Sequence, residues 1–568
     1  MRKLMLIAGL ILLFNCPCPL NPVPCTLTYA NNLRVENAVF YKAADQPAGT
    51  VDIKFDVIWD NPTSGTDGNS AAYFDRAWIF VKFWDTTAMG DSNTGGTGGA
   101  YPWGHAILTT GGSLSTYSQT TNTGLGLSGA VAVGAFAQAG TNQTVRWNYA
   151  ATLIPGTSSY VASTDTVKVR VMAAEMCYIP QGSFYAGDGT TASVTGQFST
   201  AGATTPFQVT SEGAITLGPG GLGNRSHAGM ATADDFTDTA APTASPTNLP
   251  DNTSGTGYPK GYHAFYLMKY EITEKQYVDF LNTLTRKQQK NRVVSDISAD
   301  SPASGQVYVM VPSTVSTYRN TITCPASGNG TTPPITFSTA RPYRACNYLS
   351  WMDVCAFGDW AGLRPMTELE FEKACRGGSP TSNVVADEGA WGGSTQTTAV
   401  AAVAISGTED GTETITTTNA NCNFNNVTFT GGDAGQGPLR AGIFAKSGTT
   451  RTRSGASCYG GMDLSGSLWE RPVTVGIYQG RNFIGSHGDG TLTINTTSNT
   501  YDGCATNTDW PGYATNQGVY NAATGSGFRG GSWYYGWTLA RVSDRSYAAS
   551  VFTGRDYTLG GRCSRTSP

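Results

Sequence analysis

The sequence predicts an α+β protein with mostly β and irregular structure, beginning with an antiparallel β-sandwich. Polar and apolar residues alternate in four N-terminal segments, Val51–Trp59, Trp78–Phe83, Thr144–Trp147 and Val167–Met172. Alternation with a period of two is typical of strands that bury one face. The chain has 70 glycines and only 13% charged residues, which favours a loop-rich β protein over a helical one.

The predicted sandwich covers residues 31–172, and a second domain covers residues 173–568. Two polar, Gly- and Thr-rich stretches, 188–257 and 379–420, lack clear periodicity and are expected to be surface insertions of the second domain. Tryptophans of the N-terminal part are expected in its core, although exposed rings could also form a sugar-binding platform. These tryptophans are Trp59, Trp78, Trp84 and Trp103.

Residues 1–30 have the pattern of a secretory signal peptide. Arg2 and Lys3 precede an apolar run to Phe14 that is too short to span a bilayer, and small residues favour cleavage after Ala30. A lipoprotein anchored through Cys16 is the alternative, but Phe14 and Asn15 suit it poorly. We therefore expect a secreted protein, extracellular or at the cell surface, without a membrane span.

Charge and cysteine content narrow the possible partners. A net charge of −4 and a pI near 5.7 give no electrostatic basis for binding nucleic acid. Nine cysteines follow Ala30. In an oxidising compartment most of them are expected to form disulfides, and the odd number leaves at least one thiol over.

Three helices are predicted in the second domain from their N-terminal caps. Ser350 precedes a helical apolar pattern that ends near Gly362, and Thr367 with Glu370 forms a capping box for the next helix. Thr273 forms a similar box with Gln276, before apolar residues at helical spacing. The two central helices are expected to pack as one unit.

Four ordered blocks of residues carry a resemblance to a known family. They are the central D-W-A-G-x-R-x-x-T-E-x-E-F-E-K-A-x-R-G-G (359–378), M-C-Y-I-P-Q-G-S-F-Y-A-G (176–187), D-L-S-G-S-L-W-E (463–470) and F-R-G-G-S-W (528–533). In their order along the chain they resemble the formylglycine-generating enzyme, or sulfatase-modifying factor, family over roughly residues 175–568. The resemblance implies a fold related to C-type lectins for the second domain.

The resemblance also implies a structural calcium site. Asp463, Gly466, Leu468 and Glu470 match a calcium loop of the family, and a hard cation requires such oxygen ligands. A second loop includes Asn423 and Asp433, and the alternative for the first is a polar turn capped by Asp463. The sequence lacks histidine pairs at metal-binding spacing, which argues against a zinc or iron site.

Catalysis by the family requires two cysteines between G-G-S and the last arginines, which hold copper(I). No cysteine lies between Cys504 and Cys563 in this chain, so neither copper binding nor formylglycine formation is expected. The family's second tryptophan after W-E is replaced by Arg471, and its final G-F-R is Gly560-Gly561-Arg562. An enzyme with altered, oxidoreductase-like chemistry is the remaining catalytic alternative.

The closing segment instead carries side chains suited to recognition. Tyrosine and tryptophan provide contact area at low entropic cost, and serine and aspartate provide hydrogen bonds. The predicted ligand-binding surface comprises Tyr534, Tyr535, Trp537, Ser543, Asp544, Tyr547 and Tyr557. The hypothesis is surface binding to an extracellular protein or glycan, or self-assembly into an array or filament. The alternative is a diversified receptor, because the segment resembles the variable region of such proteins.

Overall fold

A computed structural model describes most of the chain after residue 32. The described residues are 33–41, 45–59, 64–66, 72–96, 99–113, 132–188, 194–200, 205–225, 236–237, 240–378, 389–391, 415, 417, 419–430, 433–445, 449–494, 502–514, 519–520 and 522–567. The predicted signal peptide and most of the predicted insertion 379–420 lie outside them. No helix in these ranges is both long enough and apolar enough to cross a bilayer.

Two antiparallel sheets form the N-terminal layers. Their strands are β1 (Arg34–Tyr41), β2 (Thr50–Ile58), β3 (Ser64–Thr66), β4 (Ala72–Asp85), β5 (Gly104–His105), β6 (Leu108–Thr109), β7 (Ala135–Ala137), β8 (Gly140–Asn148), β9 (Val167–Ile179), β16 (Phe265–Met268), β19 (Arg364–Pro365) and β22 (Cys563–Thr566). The first sheet has the strand order β1-β2-β8-β6, and the second has the order β19-β22-β16-β9-β4-β3, with β5 and β7 also paired to β4.

The facing sides of the two sheets form one apolar core. Ile53 and Phe55 of β2 pack with Ile79 and Val81 of β4, and all four side chains are fully buried. The predicted sandwich is therefore present, and its strands contain the four alternating segments. Trp59, Trp78 and Trp84 are buried and Trp103 is half-buried, so their prediction as core residues agrees with the structure.

Strand β9 joins the sandwich to the rest of the chain. Its first part pairs with β4 from Asp85↔Val167 to Asp75↔Cys177, and its last residues also pair with β16. The boundary expected between residues 172 and 173 falls inside this strand. The second sheet is thus common to the N-terminal part and to the family-like part.

Helices begin where the capping residues predicted them. The helices Glu274–Leu281, Trp351–Trp360 and Glu368–Arg376 have complete capping boxes at Thr273, Ser350 and Thr367. The other helices are Thr86–Met89, Arg286–Arg292, Arg451–Ser454, Tyr478–Arg481 and Trp537–Ala540, with 3-10 turns at Tyr149–Ala151 and Ala303–Gly305. The central pair Trp351–Trp360 and Glu368–Arg376 is almost fully buried.

Residues 188–257 do not form the simple surface insertion that was predicted. Phe198, Leu222 and Leu249 are fully buried and pack with Trp351 and Leu369 of the central helices. Sparse apolar residues in a polar stretch produced no periodic signal, yet they fill a core. The short strands here and later are β10 (Phe184–Ala186), β11 (Phe198–Ser199), β12 (Phe207–Val209), β13 (Ile215–Thr216), β14 (Gly223–Asn224), β15 (Asn248–Leu249), β17 (Ile322–Thr323), β18 (Ser338–Thr339), β20 (Tyr513–Ala514) and β21 (Val519–Tyr520).

The cysteines also differ from expectation, because most are free thiols rather than disulfides. Each is buried within the fold, and several lie in separate apolar clusters, as Cys346 and Cys375 do. Burial raises the pKa of these thiols and keeps them protonated. The free thiols are Cys177, Cys324, Cys346, Cys355, Cys375, Cys422 and Cys563.

Candidate functional site

The loop after Gly531 is held on two sides by backbone hydrogen bonds. The N–H of Trp533 donates to the Ser467 carbonyl at 2.7 Å, and the carbonyl of Tyr535 accepts from Asn425 at 2.9 Å. Gly530 and Gly531 both have positive φ, of 81° and 74°. A Cβ at Gly530 would lie 2.5 Å from the Leu464 carbonyl oxygen, so only glycine fits this turn.

A buried ion-pair network supports the loop from below. Arg529 binds Glu368 at 2.9 Å and Glu372 at 2.5 Å. Arg545 also binds Glu368, at 3.0 Å, and Arg376 binds Glu372 at 2.8 Å. Burial raises the pKa of Glu368 and Glu372, but the arginines outweigh it and hold both pKa values below normal. The central helix Glu368–Arg376 is thereby tied to both ends of the closing segment.

Aromatic side chains cover the outer side of this loop, and we call the group Tyr318, Tyr534, Tyr535, Tyr547 and Tyr557 the tyrosine surface. Tyr534 lies 5.3 Å from Tyr535 and 5.4 Å from Tyr557, measured between ring centroids, while Tyr318 stacks on Tyr557 at 4.3 Å. Tyr534 is 37% exposed and Tyr547 is 43% exposed. The others are half-buried.

The tyrosine surface rests on buried tryptophans. Trp469 contacts Tyr535 and Tyr547 at centroid distances of 5.8 and 5.6 Å, and Trp533 contacts Tyr557 at 5.7 Å. Partial burial raises the pKa of Tyr557 to about 12, helped by Asp556 and Tyr534. The phenol of Tyr557 is therefore a neutral hydrogen-bonding group at physiological pH, and the buried tryptophans give the tyrosine surface a rigid base.

Two residues predicted to lie on the binding surface, Ser543 and Asp544, are buried, and a third, Trp537, lies at its edge. Ser543 is buried and its hydroxyl accepts a hydrogen bond from Arg376. Asp544 is also buried, and its carboxylate accepts from the Ser546 N–H at 3.0 Å. Trp537 is half-buried against Trp391 and Phe424. Polarity alone could not distinguish solvent contact from the internal hydrogen bonds that these groups make.

Sequence reasoning missed Tyr318, which completes the surface from a distant part of the chain. Its φ of 45° places it in the left-handed region, which is rare for a tyrosine and is maintained only by surrounding contacts. The neighbouring Arg319 is buried and binds Asp433 at 2.9 Å. A positive φ at a non-glycine residue leaves no mark in one sequence, so no signal could have identified Tyr318.

The turn predicted to bind calcium contains buried carboxylates. Asp463 accepts from the Gly442 N–H at 2.7 Å, and Glu470 binds Arg562 at 2.5 Å. The second carboxylate oxygen of Glu470 is buried and makes no hydrogen bond within the described residues. The N–H of Gly466 donates to the Gly530 carbonyl at 2.7 Å, and that of Leu468 donates to Glu271 at 2.8 Å.

The buried, unbonded oxygen of Glu470 is compatible with a cation; if calcium binds here, Asp463 and Glu470 would be its carboxylate ligands, and the backbone carbonyls of Gly466 and Leu468 are the other ligands that the sequence predicts. No group of three or more His, Cys, Asp or Glu side chains suited to a metal occurs in the part of the chain described above. The second predicted pair fits less well. The buried side-chain oxygen of Asn423 has no hydrogen-bond partner among the residues that the structure describes, but Asp433 forms ion pairs with Arg319, Arg341 and Arg344.

The fold and this site define a mostly β protein in which a capped helix pair supports an exposed tyrosine surface. The model of the sulfatase-modifying factor enzyme 1-like domain family matches residues 256–566, more than half of the sequence, and the chain belongs to this family. The matched range begins after the block 176–187, although that block lies in β9 and β10 of the same fold.

Comparison with curated proteins finds no match. Among solved structures, the chain is similar to Treponema denticola variable protein 1 at 10% sequence identity, with a TM-score of 0.25. The alignment covers 70% of this chain and 96% of the other. At this TM-score the similarity supports no statement about function.

Proposed function

We propose that this chain is a secreted, non-catalytic binding protein that uses the tyrosine surface to contact an extracellular protein or glycan. The observation that carries the proposal is the exposed ring cluster around Tyr534 and Tyr547, held on buried tryptophans. Rigid aromatic side chains beside hydrogen-bonding phenols are typical of binding surfaces for both ligand classes.

The lack of cysteine in the loop after Ser532 and the state of the nearby Cys422 thiol support a non-catalytic role. The loop from Ser532 to Arg545 has no cysteine, and Cys422, which packs in the cluster beneath Trp537, has its pKa raised by burial and by Asp463 and Glu271. Its thiol donates to the Ser465 carbonyl at 2.9 Å. A protonated, hydrogen-bonded thiol is a poor ligand for copper(I).

Paired substitutions test the binding proposal on a glycan array and a panel of extracellular proteins. The double variant Tyr534→Ser/Tyr547→Ser is expected to lose the binding of the wild type, because both exposed rings are removed while the buried tryptophans remain. Tyr160→Ser is the matched control, since Tyr160 is 55% exposed on the sandwich. Equal binding by the double variant and the control would contradict the proposal.

A separate assay tests the absence of catalysis. Purified protein supplied with copper, oxygen and a sulfatase-type peptide is expected to leave the peptide cysteine unchanged by mass spectrometry. Conversion to an aldehyde above a copper-only control would overturn the proposal of a non-catalytic protein.

Self-assembly is the second candidate function, and strand β1 favours it. This strand is at the edge of its sheet, and Val39, Phe40 and Tyr41 are each about half exposed. An exposed apolar edge strand is a template for pairing with another chain. If assembly uses this edge, Phe40→Lys abolishes the polymers seen by electron microscopy of the wild type. Polymers that persist in this variant would exclude β1 as the contact.

A further inference from the structure

Three charged side chains meet at the second sheet, the sheet that contains β4, β9 and β16. Lys269 Nζ lies 2.7 Å from Asp75 Oδ2 and 2.9 Å from Glu175 Oε1. The three side chains are no more than 5% exposed. Neither the proposed binding function nor the ion-pair network of Arg529 uses them.

Strand register fixes this meeting point. Asp75 is on β4, Glu175 is on the neighbouring strand β9, and Lys269 directly follows β16 on the other side of β9. Ala77 is opposite Glu175 and Met268 is opposite Met176, while the Lys269 N–H donates to the Glu175 carbonyl at 2.9 Å. Backbone hydrogen bonds on both sides of β9 therefore hold the three side chains together.

Two carboxylates, those of Asp75 and Glu175, lie against the ammonium group of Lys269. Burial and the charge of Asp75 raise the pKa of Glu175 to about 7, although Lys269 lowers it. Burial alone lowers the pKa of Lys269, but the carboxylates outweigh it and raise that pKa. Protonation of Glu175 leaves one buried ion pair, between Lys269 and Asp75. In a buried ion pair the attraction between the charges often does not exceed the cost of removing both from water.

We propose that Lys269 and Asp75 join through an amide bond between their side chains, with Glu175 as the catalytic acid and base. A proton passes from the Lys269 ammonium to the Asp75 carboxylate, and the neutral Nζ attacks Cγ of the resulting carboxylic acid. Protonated Glu175 donates its proton to the departing hydroxyl group and accepts the second nitrogen proton in exchange, so it ends in the protonation state in which it began. One C–N bond forms, one C–O bond breaks, and one water leaves.

The geometry favours this condensation for two physical reasons. Holding the amine against the acid replaces an encounter in solution by a reaction between fixed neighbours, which supplies a large effective concentration. The product also exchanges two buried charges for a neutral amide, which removes the desolvation cost of the ion pair. No oxidant or cofactor is required.

The bond would connect the sandwich to the family-like part of the chain. Asp75 and Lys269 are 194 residues apart, and a cross-link across such a span restricts the unfolded chain strongly. It would give this protein a covalent link that its free thiols do not provide.

Mass spectrometry of the purified full chain tests the proposal. The expected mass is one water below that of the chain with its determined N-terminus, and tryptic digestion is expected to yield a branched peptide joining Asp75 to Lys269. Lys82 is the internal control. It is also fully buried, but it contacts His105 Nδ1 and the Gly490 carbonyl, both at 3.0 Å, and its peptide is expected to be unmodified.

Variants separate the roles of the three residues. Lys269→Arg and Asp75→Ala are expected to restore the full mass. Glu175→Gln keeps the shape of the side chain and is expected to slow cross-linking. In denaturing gels the cross-linked wild type should migrate faster than these variants, because its unfolded chain contains a closed loop. Full mass in the folded wild type with separate Asp75 and Lys269 peptides, or a link from Lys269 to Glu175, would overturn the assignment.

Discussion

Removing the guanidinium of Arg529 should strongly destabilise the protein. The variant Arg529→Met retains much of the side-chain volume but removes the contacts with Glu368 and Glu372, at 2.9 and 2.5 Å. Loss of one partner from a buried ion pair costs about 3–5 kcal/mol, because it leaves a buried charge uncompensated. Arg545 and Arg376 still bind the two carboxylates, so we expect about 3 kcal/mol, the lower end of that range.

Urea unfolding of both proteins measures this loss. The surface variant Arg451→Met is the matched control, since Arg451 is exposed, and it should change the free energy of unfolding by less than about 0.5 kcal/mol. Adding Glu372→Gln to Arg529→Met should cost further stability, because it leaves the buried guanidinium of Arg376 without its carboxylate partner. A loss below about 1 kcal/mol for Arg529→Met, or no further loss in the double variant, would refute this account of the network.

Three further predictions follow from other sites. Burial raises the pKa of Glu274 from 4.5 to about 7. Because the unfolded chain loses this proton at a lower pH than the folded chain does, stability should fall as the pH rises between those two values. Glu274→Gln should reduce this pH dependence of stability in thermal melts, and an unchanged pH dependence would contradict the prediction. Calcium at 100 times its dissociation constant should add about 2.7 kcal/mol, and Glu470→Gln should abolish the difference between melts with calcium and with chelator; identical wild-type melts in both would exclude the site. The shared second sheet predicts that residues 33–172 do not separate as a stable fragment on limited proteolysis, and release of such a fragment would show that β9 can be divided.

Local patterns in the sequence predicted the elements whose causes are local. Alternation located β2, β4, β8 and β9, because a half-buried strand requires a period of two. Ser350 and Thr367 located the starts of the central helices, since a cap satisfies backbone groups only a few residues away. The ordered motifs likewise indicated the family and a site in the segment after Ser532.

The tertiary structure decided which of these residues face solvent and which distant residues meet. Ser543 binds Arg376 of the ion-pair network and Asp544 accepts from the Ser546 N–H, whereas Tyr318 reaches the surface from more than two hundred positions earlier in the chain. Strand β9 crosses the expected boundary because it pairs with both β4 and β16, and these two strands are far apart in sequence. Burial and pairing between remote segments depend on the packing of the whole chain, so neither property is present in any local sequence pattern.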